Sequence, residues 1–597
     1  MGKLGLVGSL FCLILVFVPA FAKAANEFIT VVNPVRIPYY LSDPVASLQS
    51  EYTVVNNYQI PATWLLTYDA INHKGVANLA KKFSPSQELG IFLEITPALA
   101  TAAQVPYHQS GSWHFANSIF LSGYAQEERQ KLIDTVFQSF KSTFGYYPVS
   151  VGAWWVDSFS LQYMHDKYQV IANLGCADQF ATDNYQIWGQ YWSTPFYPSK
   201  IHAAIPAATT DNKIGVVTIQ WASREPRQGY YSSIYSTQDY PNTNEKYDTS
   251  YFAKLVQLYT TAGPNKFGQI TVGLEGDLSP DSYQGEYSKQ LAVVSNLAAQ
   301  KVTMKDFAQW YQSTFTDLSP AHTISADGVT WYQSPSYRIG VDTINYKIID
   351  LRVYPQNYPE PNYTWPNADQ NLRIYIPSII DSLQNKDEAW DYRQGEINFS
   401  PEYFDVPVSA LPARIKNSPL LRYQTIGDVR RISPADIWPV DLGGLTFSDW
   451  SLETLHLFRS PKQWPRLLTS LRRDSYWVSQ AETEGLYRLK LLPPGKVLVY
   501  DSECLQCSWY SKYRPAVYAA SHHYISDLGG HPLVFNQQIF TLTDHGQARS
   551  MLDKSGARYV YLVKYGDYVQ KLSFSPGDWG IKLIFENANV QIWQTDN

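Results

Sequence analysis

Four acidic side chains stand where short apolar runs of this sequence give out: Glu94 in "LGIFLEIT", Asp157 in "VSVGAWWVDS", and Glu275 and Asp277 in "GQITVGLEGD". Two carboxyl groups that flank a cleft can do acid–base work. One donates a proton while the other attacks or draws a proton from water. Alternation along the runs says which way two of these residues point. Leu89, Ile91, Leu93 and Ile95 share one face, and Phe92 and Glu94 share the other. Ile270, Val272 and Leu274 likewise oppose Thr271, Gly273 and Glu275. An inward carboxylate is costly unless it is solvated in a cleft or paired. The competing reading for Glu94 and Glu275 is therefore a structural ion pair with Arg36 or Arg224. Asp157 precedes "SFSLQYMHDKY" and also suits a helix N-cap, and Asp277 suits a cap or turn before Pro280. Trp154, Trp155, Trp188, Trp192 and Trp221 fall at strand ends or in the polar loop "IWGQYWSTPFYPS". Flat rings there serve either the core or stacking on a sugar.

These residues need a scaffold that brings strand ends together. From residue 26 to 317, apolar runs such as "EFITVV", "PATWLLT", "LGIFLEIT" and "IGVVTIQW" alternate with helical patterns. In "EERQKLIDTVFQSFKSTFG", Leu132, Ile133, Val136, Phe137 and Phe140 recur at helical spacing, and Gly145 suits the C-terminal cap. Alternation of this kind predicts an α/β fold with a parallel sheet. Seven strands would close into an irregular (β/α) barrel, with an open doubly wound sheet as the alternative. Either one builds its site at the C-terminal strand ends. Residues 318–404 change to β-rich texture, "YRIGVDTINYKIIDLRVY" and "QNLRIYIPSII", which predicts a β-sandwich-like module. Residues 405–597 predict a small α/β domain from "GKVLVYDS", "HGQARSMLDKSG", "ARYVYLVKYGD" and the closing hairpin "KLIFENANVQIWQ".

"QIPATWLLTYDAI" and "FGYYPVSVGAWWVDS" resemble the glycoside hydrolase/deacetylase barrel superfamily, in its NodB-type polysaccharide deacetylase branch. Carried over residue by residue, the metal chemistry of that branch fails. The place of its aspartate pair reads "VVNPVR", with Asn33, Pro34 and Arg36, and the place of its histidine ligands reads "FLEITPAL", with Glu94 and Thr96. The chain also resembles family 57 glycoside hydrolases, which need no metal. That resemblance implies Asp157 as nucleophile or base, although the family normally has Glu there. It implies Glu275 as acid, and Glu94 as a neighbour that tunes their pKa values or binds sugar hydroxyls. Arg36, Asp277 and the five tryptophans would bind substrate. The expectation is a metal-independent carbohydrate-active hydrolase without a cofactor, acting on a polysaccharide or other glycan. The alternative is a degenerate barrel that binds or scaffolds envelope glycans. The C-terminal segment resembles extracytoplasmic tail domains of glycosyl-transfer membrane proteins, which suggests an envelope context.

Composition narrows the partners. Net charge is −6 and no basic run is present, which argues against nucleic acid. Lys3 followed by "LGLVGSLFCLILVFVPAF" and small residues predicts a signal peptide over residues 1–25, and so a secreted or extracytoplasmic chain. No later run is long enough to span a bilayer. In such a compartment Cys504 and Cys507 of "CLQC" are expected to form a local disulfide, while Cys176 suits the core.

Overall fold

The computed structural model describes residues 26–108, 114–182, 185–354, 356, 360–376, 378–383, 386–392, 395–416, 418, 420–435, 485–486, 488–499, 531–535, 539–540, 542–563, 575–587 and 590–596. The expected signal peptide and the Cys504–Cys507 disulfide lie outside the described residues.

Apolar runs rich in β-branched residues form the strands of one parallel sheet. They are β1 (Glu27–Val35), β2 (Ala62–Leu66), β3 (Glu88–Phe92), β4 (Ser150–Gly152), β5 (Ala172–Cys176), β6 (Val217–Trp221) and β7 (Gly268–Val272). Their order is β6-β5-β4-β3-β2-β1-β7, and β8 (Gln300–Val302) pairs with β1 at Phe28–Thr30. No ladder among the described residues joins β6 to β7, so the seven strands make a half-barrel rather than a closed ring. Phe28, Val32, Leu65, Phe92, Leu174 and Ile219 line the inner face. They pack with Met304, Phe307 and Tyr311 of the helix Met304–Thr314. Ile29, Val31, Ile91, Leu93 and Ile270 point the other way, into the layer of helices. Side chains alternate along a strand, so Arg36 continues the inner row of Phe28 and Val32, and Glu94 that of Phe92.

Three helices matter for the site. Helix α1 (Pro44–Asn57) starts at Asp43, whose carboxylate accepts from the Val45 and Ala46 amides, with Pro44 in the first turn. Helix α2 (Gln126–Phe144) buries the five predicted apolar residues and ends at Gly145 with φ +89°, a left-handed cap that glycine adopts without strain. Helix α3 (Ser158–Tyr168) is capped by Asp157.

The β-rich module is a meander of His322–Ala326, Val329–Gln333, Tyr337–Asp342 and Lys347–Val353. A second sheet, built from Asn398–Phe399, Phe404–Pro407, Leu421–Ile426 and Val429–Pro434, shares one core with it. The expected division at 404/405 therefore falls inside this module. The module is also fused to the half-barrel. Leu372–Tyr375 pairs in parallel with Tyr185–Trp188, and Trp331 and Ile349 belong to the barrel's own core. The last sheet takes Lys496–Val499, Leu533–Phe535 and Ala557–Val563 in parallel, closed by the antiparallel hairpin Lys582–Glu586 and Val590–Gln594. Its core is separate. Among the described residues no helix is long and apolar enough to cross a membrane.

Candidate active site

The sheet order β3-β2-β1-β7 sets the ends of β3 and β7 on either side of β1. Arg36, the first residue after β1, meets acidic side chains from both. Its Nε and Nη2 donate to Glu94 Oε2 and Oε1 at 2.8 and 2.9 Å. Its Nη1 donates to Glu275 Oε2 and to Asp277 Oδ2, each at 2.8 Å. Tyr40 adds a second donor to Asp277 Oδ2, also at 2.8 Å. Arg36 and Asp277 are buried, whereas the Glu275 side chain remains 34% exposed.

The backbone after β7 is laid directly against β1. Gly273 has φ +156°, and a Cβ there would sit 1.9 Å from the Val32 carbonyl oxygen. Asn33 Oδ1 accepts from the Leu274 amide, and the Gly276 amide donates to the Pro34 carbonyl. A Cβ on Gly276 would meet Glu51 Oε2 at 2.8 Å and that same Pro34 oxygen at 3.1 Å. Only glycine lets Glu275 and Asp277 approach Arg36 over this surface.

Glu51, on α1, is fully buried beneath the cluster, and neither carboxyl oxygen has a hydrogen-bond partner. Burial pushes its pKa well above the usual carboxylate range, and the Asp277 and Glu275 charges push the same way. The Glu275 carboxyl is raised to about 7. Desolvation in the cluster is the main cause, Arg36 opposes it, and Asp277 and Glu94 add repulsion. Asp69 is raised too, by burial opposed by a hydrogen bond from Thr96, with repulsion from Glu94 adding to it. The mouth of the half-barrel thus holds a partly exposed carboxyl pushed up to about 7, beside a buried carboxyl held by a guanidinium and a phenol.

Such folds can carry a divalent metal, but these residues do not fit one. Asn33 Oδ1 is occupied by the Leu274 amide and the Tyr287 hydroxyl. Thr96 Oγ1 caps the helix Pro97–Ala102. Both Glu94 oxygens accept from Arg36, which puts a fixed positive charge among the carboxylates. No group of three or more His, Cys, Asp or Glu among the described residues is arranged to hold a metal ion.

Glu94 and Glu275, which alternation turns inward, are therefore brought together with Asp277 around Arg36, and Arg36 rather than Arg224 is the partner. Asp157 is not part of the group. It is buried, its Oδ1 accepts from the Ser160 amide and from Arg129 Nη1, each at 3.0 Å, and its Oδ2 accepts from Ser160 Oγ. Both oxygens are engaged inside the protein, which overturns its assignment as nucleophile. The tryptophan platform is overturned as well. Trp192 stacks on Trp331 at 4.1 Å, with Trp188 and Arg338 against the same aromatic core. Trp155 and Trp221 are buried, and the partly buried Trp154 packs between Phe92 and Trp221. The four buried rings leave no face for a sugar. Sequence reasoning missed Tyr40 and Glu51. Glu51 did leave a signal, because it lies between Leu48 and Val55 on the buried stripe of α1, where a charged residue breaks the apolar pattern.

A cleft of about 640 Å³ lies elsewhere, lined by Tyr354, Tyr403, Arg422 and Arg431 among others. Arg431 is already paired with Asp405 and lies over the Tyr403 ring, so it offers no comparable chemistry.

No family model matches the sequence, and no curated protein matches it. Solved structures do. One, classed as a glycoside hydrolase/deacetylase from Parabacteroides distasonis, is 15% identical with a TM-score of 0.44, over 59% of this chain and 91% of that one. A polysaccharide deacetylase-type structure from Mycobacterium smegmatis is 12% identical with a TM-score of 0.31, over 52% of this chain and 97% of that one. Another, from Pseudomonas aeruginosa PAO1, is 11% identical with a TM-score of 0.28, over 49% of this chain and 93% of that one.

Proposed function

We propose that this chain is an exported carbohydrate-active hydrolase that cleaves a glycosidic bond without a metal. The observation that carries the reading is the contrast between Glu275 and Asp277. A carboxyl pushed up to about 7 beside a second carboxyl held by Arg36 and Tyr40 supplies a proton donor and a candidate nucleophile or base in one site. Glu275, raised to about 7 and partly exposed, is the proton donor to the leaving oxygen. Asp277 presents Oδ2 to Arg36 and Tyr40, leaving Oδ1 outside those bonds to attack the anomeric carbon or to accept a proton from water. Glu94, held by two hydrogen bonds, keeps Arg36 in place. Export is supported by the N-terminal apolar segment with its small-residue end.

The test is turnover of a broad polysaccharide panel by wild type, Glu275→Gln and Asp277→Asn. A positioned acid is worth roughly 10²- to 10⁴-fold in rate, so Glu275→Gln should lose activity on that scale while remaining folded. Equal turnover by Glu275→Gln and wild type would remove Glu275 from the mechanism. One observation favours a second reading, glycan binding without catalysis: every carboxylate of the cluster already accepts from Arg36. Binding without cleavage, unchanged in both variants, would select it.

A further inference from the structure

Large apolar side chains are seldom left fully in solvent beside a site, and two consecutive ones need a reason. Tyr39 is 89% exposed and Tyr40 52% exposed, and both lie on the loop that follows Arg36. Their rings meet edge to face at 5.5 Å. The pair is tied to the candidate active site, because the Tyr40 hydroxyl donates to Asp277. That bond fixes one ring at the rim of the carboxylate cluster and leaves the Tyr39 ring projecting from it.

We infer that Tyr39 and Tyr40 form an aromatic platform for one pyranose ring of an uncharged oligosaccharide, placing the neighbouring glycosidic bond over Glu275 and Asp277. The inference rests on the proposed hydrolase reading for what happens at that bond, but not for binding itself. A tyrosine face offers flat apolar area at small entropic cost, which suits the C–H face of a sugar. The charge around it selects the sugar class. One guanidinium faces Glu94, Glu275 and Asp277, with Glu51 beneath them. Even without counting Glu275 and Glu51, whose pKa values are raised, Glu94 and Asp277 outnumber the one guanidinium, so a uronic-acid or sulfated glycan would be repelled and a neutral one accepted. Tyr39 makes a useful probe because it takes no part in the Arg36 cluster.

Isothermal titration of cellohexaose, chitohexaose and hexagalacturonate into the Glu275→Gln protein separates binding from turnover. Tyr39→Ala in that background should weaken neutral hexasaccharide binding by about 3- to 10-fold, the scale of one aromatic contact. Tyr39→Phe should bind like its parent. Equal affinity of Tyr39→Ala and its parent, tighter binding of hexagalacturonate, or no binding of either neutral hexasaccharide would overturn the platform. Turnover of the same neutral hexasaccharides by the Glu275-containing protein is read separately. Tyr39-dependent binding without turnover supports the platform and removes the hydrolase reading. Turnover that Tyr39→Ala leaves unchanged overturns the platform and keeps the hydrolase.

Discussion

The Glu275 and Asp277 carboxylates accept from one and the same nitrogen, Nη1 of Arg36, each at 2.8 Å. Their other surroundings differ: Asp277 is buried and has the additional Tyr40 hydrogen bond, whereas the Glu275 side chain is 34% exposed. This asymmetry separates the two side chains chemically, and it depends on the guanidinium.

Arg36→Met should therefore do more than remove a contact. It leaves buried Asp277 and mostly covered Glu94 without their cation. Breaking a buried ion pair from one side costs about 3–5 kcal/mol. Urea unfolding should show a loss of that order, and a loss below about 1 kcal/mol would mean that water replaces the guanidinium.

The Glu275 shift has a defined sign. Its folded pKa, about 7, lies above the ordinary glutamate value of about 4.3. Between those values the folded state binds more protons than the unfolded one, so this group lowers stability as pH rises from about 4.3 to about 7. Activity that needs the protonated acid should fall above about pH 7. Glu275→Gln should flatten the stability slope, and an unchanged slope in that variant would assign the titration to another group.

Asp157→Asn should expose the difference between cap and catalyst. Asparagine caps a helix about as well as aspartate. It cannot neutralise Arg129, which is fully buried against Asp157. We expect a stability loss of about 3–5 kcal/mol, read by chemical denaturation, with turnover per folded molecule unchanged. A stable variant with abolished turnover would restore Asp157 to the chemistry.

Glu51→Leu should stabilise the protein at pH 7. The carboxyl is buried without a partner, and such a group carries a desolvation penalty of about 1–3 kcal/mol. Its folded pKa is raised well above the usual range, so the gain should grow as pH rises above the ordinary carboxylate value. Denaturation at pH 5 and pH 8 checks this, and a variant less stable than wild type at both would show that Glu51 bonds to a group inside the fold.

Much of the half-barrel was legible in the sequence because periodicity is local. Alternating Leu89, Ile91 and Leu93 against Phe92 and Glu94 fixes which face a strand buries, whatever it pairs with. The same parity put Glu94 and Glu275 on the inner side, and helix α2 followed from its 3.6-residue stripe and terminal glycine. Only the tertiary structure decided which acids meet. Asp157 and Glu275 both stand beyond strand ends, yet sheet order sends one to Arg129 and the other to Arg36. Tryptophan carries no local mark that separates core from rim. Trp192 is covered because the β-rich module lays Trp331 against it, a contact across more than a hundred residues of chain. Glu51 and Tyr40 join the site through helix packing and loop placement. Sequence sets each residue's face; the three-dimensional neighbours set its pKa, its exposure and its role.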